Sequence, residues 1–474
     1  MRRLAILALL CFGLATPALA DDRDSILTYL DAQGDRFGSL ARQIWEQAEV
    51  GYQETESSAL LQQALADEGF RIETGVADIP TAFVASYGSG EPVIALLAEF
   101  DALPGISQSD EPVRDPLPEK AAGHACGHHL FGAGSTAAAV ALRHWLEDTG
   151  QQGTVRLYGT PAEEGGSGKV YMVRAGLFDD VDAVLGWHPS DRNAADAATT
   201  LANKSAKFRF RGTSSHAAVA PERGRSALDG VEAMNFMVNL LREHVPQETR
   251  IHYVITSGGS APNVVPDFAE VFYYVRHPQR DVLAGLWERV VAAAEAAAMG
   301  TGTELEYEII HGNYNKLPNE SLAEIMHGNL LRVGGVSWDD EEQAYAETLA
   351  ESLDRDPAVV GQQGRIKPLG FTQSMGSTDV GDVSWMAPTT EMRAATWVPG
   401  TAPHSWQAIA AGGTSIGTKG MLVAAKTLAL TGAELFQAPA VLEAAKAEFE
   451  ERRGADFEYV PLLGDRAPPL DYRR

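Results

Sequence analysis

The sequence predicts an α/β protein: a mostly parallel sheet covered by helices, with a separate α+β domain inserted into it. Three observations carry that reading. Short apolar runs, "PVIALLAEF" (92–100), "TVRLYGT" (154–160) and "DAVLGWHP" (182–189), alternate with a helical stretch at about 130–148, the rhythm of strands joined by crossover helices. After residue 205 the pattern becomes β-α-β-β-α-β, the split order of a ferredoxin-like sandwich. The chain has 474 residues, 45% of them hydrophobic, which is enough for a large core and two domains rather than one.

The elements follow in order. Residues 1–20, "MRRLAILALLCFGLATPALA", run from two arginines through a short apolar stretch to Ala18-Leu19-Ala20, the pattern of a secretory signal peptide cleaved ahead of Asp21. The apolar stretch is about a dozen residues, against the roughly twenty that span a bilayer. The mature protein is therefore expected outside the cytoplasm, periplasmic or extracellular, with no membrane span. Cys11 leaves with the leader, so Cys126 has no partner for an intramolecular disulfide. A free thiol is a liability in an oxidising compartment unless something ties it up. The 64 acidic residues against 38 basic ones give a net charge of -26, or -28 without the leader, a field that disfavours nucleic acid and anionic membranes.

Residues 24–70 read as helical, with "SALLQQALADEGF" stopping at Gly69. Beyond them the three apolar runs are each followed by polar residues: Glu99 and Asp101, then Glu163 and Glu164 in "GTPAEEGGSG", then His188 in "GWHP". Ligands of open α/β sheets bind beyond the carboxyl ends of the strands, so these residues gather along one edge. "AAGHACGHHLFG" (121–132) opens the helix between two of those strands and brings His124, Cys126, His128 and His129 to the same edge. Each residue alone reads as structural; their convergence does not. A thiolate, imidazoles and carboxylates form a borderline-soft donor set suited to zinc, manganese or cobalt and too soft for calcium. If the Glu163–Glu164 segment is extended, one side chain binds metal while the other faces substrate, and a free carboxylate beside a metal is the arrangement of a general base in hydrolysis. "FGAGSTAAAVAL" lacks the third glycine of a dinucleotide loop; Gly132 and Gly134 instead let the helix approach the sheet.

"KFRFRG" then reads as a strand, 226–245 as a helix, "RIHYVITSGG" and "FAEVFYYVRH" as strands, 281–299 as a helix and "ELEYEIIHG" as the last strand. The expected division is 21–204 and 316–474 for one domain, with 205–315 inserted. "GSTDVGDVSW" and "GTAPHSWQ" are the later loops suited to reach a site.

"HACGHH", "PAEEGGSG", "GWHP", "GTSSHAAVAPERGRSALDG", "PNVVP" and "GTAPHSW" resemble the successive motifs of the dinuclear metal amidohydrolase and carboxypeptidase family, which includes aminoacylases and indoleacetyl-amino acid hydrolases. "GSTDVGDVSW" and "YVPLLGDRAPPLD" further resemble its branch of p-aminobenzoyl-glutamate hydrolase B subunits. The resemblance implies an α/β catalytic domain carrying a ferredoxin-like lid and dimerisation domain. It implies that Cys126, His128, Glu164, His188 and His404 hold two divalent ions, manganese or zinc, with Glu163 as the base. By the same resemblance Asp101 would orient a ligand from behind, and so would His129, which stands where relatives have Asp or Asn, unless as a histidine it donates to a neighbour or competes for the metal. His216 reaches a neighbouring subunit's site and stabilises the oxyanion; a bland alternative is a cap ahead of a helix. Asn263 and Arg276 contact the substrate carboxylate, although a strand-edge arginine is otherwise a solvated charge. The implied partner is an identical chain, or a related A-type subunit.

The expected activity is hydrolysis of the amide bond of an N-acyl amino acid, a p-aminobenzoyl-glutamate-like conjugate or a dipeptide. Two rivals stand beside it: a non-catalytic homologue that closes on a ligand, and a thiol hydrolase using Cys126 with a neighbouring histidine.

Overall fold

The first helical stretch folds as three helices, α1 (Asp24–Ala32), α2 (Gly34–Gln47) and α3 (Thr55–Ala66): Gln33 leaves helical geometry between the first two, and Ala48 and Tyr52 turn the chain between the last two through left-handed conformations, φ 47° and 65°. This is a computed structural model that describes residues 22–355 and 359–473, so the signal peptide expected at 1–20 lies outside the described residues. Strands β1 (Arg71–Thr74) and β2 (Phe83–Ser89), which the apolar runs do not announce, precede β3 (Val93–Ala98). A two-residue pairing, β4 (Leu103–Pro104) with β5 (Ala122–Gly123), leads into α4 (His128–Thr149), then β6 (Gly153–Gly159), α5 (Gly168–Arg174), β7 (Ala183–Ser190) and β8 (Ala197–Thr199).

The inserted segment runs β9 (Ala202–Arg211), α6 (Ala227–Leu241), β10 (Arg250–Ser257), β11 (Phe268–His277), α7 (Arg280–Thr301) and β12 (Glu304–Asn313). The chain then returns through α8 (Glu320–Val333), α9 (Asp340–Ala350), β13 (Phe371–Gln373), α10 (Val380–Ser384), β14 (Thr389–Ala395), α11 (Trp406–Gly412), α12 (Ser415–Gln437) and α13 (Pro439–Arg453).

The central sheet has the order β1-β2-β6-β3-β7-β14. Strands β6, β3, β7 and β14 run parallel, and β1 and β2 close one side antiparallel. All six residues of β3 are buried, as a strand covered on both faces requires. Helix α4 lies close against it: a Cβ on Gly132 would come within 2.9 Å of the Glu99 carbonyl, and one on Gly134 within 2.9 Å of Trp187. The small-residue stripe thus sets how near the helix carrying His128 comes to the strand ends.

The inserted sheet has the order β10-β11-β9-β12, all antiparallel, the strand order of a ferredoxin-like sandwich. In β11 the alternation is strict: Ala269, Val271, Tyr273 and Val275 are buried in a hydrophobic cluster of their own with residues of α6 and α7. Burying a side chain such as Val271 or Val275 stabilises by about 1.5–3 kcal/mol. Tyr274 and Arg276 therefore occupy the other face of the sheet, which borders a cleft shared with the carboxyl edge of the central sheet.

Candidate active site

Four separate segments bring polar side chains to the carboxyl edge of the parallel strands. Cys126 precedes α4 and His128 is its first residue; Glu163 and Glu164 occupy the turn after β6; His188 is near the end of β7; His404 precedes α11. His404 reaches this edge because its backbone N–H donates to the Ala125 carbonyl at 2.9 Å and its φ of 61° turns the loop inward. The edge opens into a cleft of about 1190 Å³ whose walls also include Arg276, Lys316 and Arg393.

The donor atoms form two adjoining groups with Cys126 in common. Cys126, His128 and His188 offer donors all within 4.8 Å of one another, and so do Cys126, Glu164 and His404. Cys126 Sγ is 3.4 Å from His188 Nε2, and Glu164 Oε1 is 3.3 Å from His404 Nε2. Hydrogen bonds on the far ring nitrogens set the tautomers. His128 Nδ1 donates to Asp101 Oδ1 at 2.9 Å, and His188 Nδ1 donates to the Pro189 carbonyl at 2.7 Å. Each ring thus turns its Nε2 to the shared space, the arrangement that ligating histidines use. Asp101 does a second job, accepting the Glu164 backbone N–H on Oδ2 at 2.9 Å.

This donor set fits a pair of divalent ions. The Nε2 of buried His128 has no hydrogen-bond partner, although Glu99 Oε2, equally without one, lies 3.1 Å away. Burial and the Glu164 carboxylate push the Cys126 thiol up, so a divalent cation is the charge that would release its proton. The same shift disfavours the thiol-hydrolase reading, which needs a lowered thiol pKa. Burial and the neighbouring Arg393 hold His188 well below the usual imidazole range, in the neutral form that ligates. Burial raises Glu164, but His404 and His128 outweigh it and hold the carboxyl below its ordinary value. Glu163 goes the other way: burial together with Glu99, Glu164 and Asp379 lifts it well above. Two adjacent carboxyls held apart in this way are suited to different roles, one to ligation and the other to carrying a proton.

The Glu163–Glu164 segment is a turn rather than an extended strand, with Ala162 at φ 59° and Gly165 at φ 96°. Glu163 forms a further donor group with Glu99 and His128. Glu99, placed by the sequence at the edge without a role, is salt-bridged at 2.6 Å to Lys169, which also meets Asp379 at 2.8 Å. All three side chains are buried. Sequence reasoning misses Lys169, whose one signal is that a lysine opens the otherwise apolar "GKVYMV" directly after the GGSG turn.

Three expected residues lie elsewhere. His129 is turned away from the ligands: its Nε2 is 3.0 Å from the Gly412 carbonyl and its ring rests on His124, centroids 4.9 Å apart. It faces α11 while His128 faces the site, because successive residues of a helix point about 100° apart. His216 is exposed and its Nδ1 accepts the Ala218 and Val219 N–H groups, each at 3.2 Å. Asn263 is exposed beside it, its carbonyl accepting the Ala217 N–H at 3.0 Å. Neither is among the residues that line the cleft of its own chain. Arg276 does line it, with a buried Nε that finds no partner and a guanidinium 5.3 Å from the Tyr274 ring.

Comparison with known proteins gives this geometry a family context. The model described as peptidase family M20/M25/M40 matches residues 95–383. The chain is 41% identical over 462 residues to the B subunit of p-aminobenzoyl-glutamate hydrolase from Escherichia coli (strain K12), covering 91% of this chain and 96% of that one. It is 30% identical over 444 residues to the Xaa-Arg dipeptidase of Mus musculus, with 89% and 90% covered. A Bacillus subtilis structure described as a dinuclear metal-binding peptidase of the M20 family shares the fold, with a TM-score of 0.55 at 18% identity over 84% of this chain and 98% of that one.

Proposed function

The chain belongs to peptidase family M20/M25/M40 and is a hydrolase of amide bonds; we propose that it cleaves an amide whose amine side is an amino acid with a free α-carboxylate. N-acyl amino acids, p-aminobenzoyl-glutamate-like conjugates and dipeptides are the substrates in view. The observation that carries this reading is the convergence of five ligand-type side chains with Glu163 beside them and Asp101 behind.

In the proposed mechanism Cys126, His128, Glu164, His188 and His404 hold two divalent ions, manganese or zinc. When bound, the ions would polarise the scissile carbonyl and lower the pKa of the attacking water. Glu163 takes the water's proton and delivers it to the leaving amine. Asp101 fixes the His128 ring and the Glu164 backbone together. Arg276 receives the α-carboxylate: it faces the cleft, burial lowers its pKa, and among the described residues no carboxylate pairs with it. A planar guanidinium is matched to that anion.

The oxyanion donor in this proposal is the partner subunit's His216, with Asn263 beside it on the same loop pair. His216 accepts hydrogen bonds on Nδ1, so its proton is on Nε2, free to be donated outward. The dimer is supported by an apolar face on the inserted domain. Phe236 and Leu240 of α6 are 66% and 55% exposed, and Val254 and Ile255 lie on β10, an edge strand. An identical chain or a related A-type subunit would cover it. Export through residues 1–20 belongs to the same proposal; among the described residues no helix is long and apolar enough to cross a membrane.

Assay of p-aminobenzoyl-glutamate, N-acetyl amino acids and dipeptides, each beside its α-methyl ester, tests the substrate class. The free acids should turn over and the esters should not. Equal turnover of acid and ester would remove the carboxylate from the recognition.

A further inference from the structure

The C-terminal segment leaves α13 and crosses both domains before ending at the Glu163–Glu164 turn. Near its start, Phe457 joins Tyr314 and Trp385 around the Arg280 guanidinium, with centroids 4.9, 4.9 and 4.4 Å away. Tyr459 donates to Asp382 at 2.8 Å, and Val460 accepts from the Tyr314 hydroxyl at 2.7 Å. The segment then lies against β12 of the inserted domain. A Cβ on Gly312 would come within 2.9 Å of Leu462. Arg466 donates to the Ile309 and Ile310 carbonyls and pairs with Glu308 at 3.2 Å. Arg174 of α5 donates to the Gly464 and Arg466 carbonyls at 3.0 and 2.8 Å.

At its far end the segment reaches the site. The Tyr472 hydroxyl donates to the Glu164 carbonyl at 3.3 Å, and Arg473 Nη2 donates to the same oxygen. Tyr472 packs edge-on against Tyr52, centroids 5.6 Å apart, and Tyr52 itself donates to the Gly166 carbonyl at 2.7 Å. The turn so held contains Ala162 in the left-handed region, a conformation that persists where surrounding contacts over-determine it. From inside the catalytic domain the turn is fixed by Asp101 on the Glu164 N–H and Glu54 on the Ala162 N–H. Its outward carbonyl is fixed by the C-terminal segment.

We propose that Tyr472 and Arg473 are positioning residues for the Glu163–Glu164 turn, carried there by a segment that is also anchored, through Arg466, on the inserted domain. This rests on the reading of Glu163 as base and Glu164 as ligand. Neither residue takes part in proton transfer; they set where the two carboxyls stand relative to the rest of the cleft. A displacement of about 1 Å at a reacting group can cost about 100-fold in rate. The anchor on β12 makes the placement of the turn depend on the placement of the inserted domain.

The test uses full-length Arg473→Ala, Arg473→Lys, Tyr472→Phe, Arg466→Ala and the Arg466→Ala/Arg473→Ala double variant. Amide hydrogen exchange of the peptide spanning 160–168 and steady-state kinetics are read on each. Arg473→Ala should speed exchange in that peptide, leave α13 unchanged, and lower kcat by about tenfold or more with KM within about twofold. Arg473→Lys, which keeps a cation for the carbonyl, should recover most of both effects. Arg466→Ala should reproduce them from a distance, and the double variant should fall well short of the product of the singles. Wild-type exchange in Arg473→Ala and Tyr472→Phe overturns the positioning role. Effects of Arg466→Ala and Arg473→Ala that simply multiply overturn the tether. Failure of the underlying reading is seen separately, as full turnover by Glu163→Gln, and leaves the exchange result standing.

Discussion

Asp101 and His128 meet at 2.9 Å through Oδ1 and Nδ1, with both side chains closed off from water. The bond fixes which nitrogen of His128 carries the proton and leaves Nε2 as the donor atom. The other oxygen of the same carboxylate holds the Glu164 N–H, so one buried group aligns a ligand-type side chain in each of the two donor sets.

Asp101→Asn should therefore weaken metal binding by about 10–100-fold, the usual effect of removing a ligand's supporting carboxylate. Competition against a chromogenic chelator measures it. Wild-type affinity in the variant would reduce Asp101 to a packing residue.

Glu163→Gln should lower kcat by about 100-fold or more while the purified variant keeps its metal content. The carboxyl is held above its ordinary range by burial and by Glu99, Glu164 and Asp379, which suits it to hold and pass a proton. Metal loss in this variant would make Glu163 a ligand and leave the base unassigned.

Lys169→Met should destabilise the fold by about 3–5 kcal/mol, because it strands Glu99 and Asp379 as buried carboxylates without their cation. Urea unfolding gives the number. A loss below about 1 kcal/mol, the scale of exposed pairs, would show that the two acids are neutral in the native state.

Asp382, three residues after Asp379, accepts the Tyr314 N–H and the Tyr459 hydroxyl, each at 2.8 Å. Burial raises its carboxyl from an ordinary 3.8 to about 7. The native state thus holds this proton more tightly than the unfolded chain. The stability it contributes is full below 3.8 and is lost as pH rises through about 7. Asp382→Asn, which keeps an acceptor for Tyr314 and stays neutral, should flatten the fall in urea midpoint between about pH 4 and pH 7. An unchanged fall in the variant would assign it to other groups.

Phe236→Glu with Leu240→Glu should convert a dimer to monomers in sedimentation velocity and remove most turnover, since His216 lies outside its own chain's cleft. A monomeric wild type with full activity would return His216 to its local role as a cap.

Much of the fold and site is legible in the sequence because two periodicities and one topological rule carry it. The apolar runs leading to Glu99, Glu163 and His188 are buried parallel strands, and such strands deliver the residues after them to one edge. The strict alternation of "FAEVFYYVRH" separates Tyr273 in the core from Tyr274 and Arg276 at the cleft. His404 is legible only through the family resemblance, since nothing local says that a loop more than two hundred residues downstream will hydrogen-bond to Ala125. Strands β1 and β2 are hidden because β1 is largely exposed and β2 loses its apolar character at Ser86. His129 stands apart from its neighbour for a local reason: beside His128 in sequence, it points nearly a third of a helical turn away and meets the Gly412 carbonyl, one of the two alternatives its residue type leaves open. Lys169 and the contacts of Tyr472 and Arg473 are tertiary throughout, and no spacing along the chain encodes them.

In the proposed mechanism paired divalent ions, held by Cys126, His128, Glu164, His188 and His404, are required for amide hydrolysis. The decisive measurement is the metal content of the purified protein, taken with turnover of p-aminobenzoyl-glutamate, N-acetyl amino acids and dipeptides before chelation, after it and after metal return. Close to two ions per chain are expected, with turnover that disappears on chelation and returns with manganese or zinc. Turnover that survives complete metal removal, and is instead lost on alkylating Cys126, would contradict the mechanism.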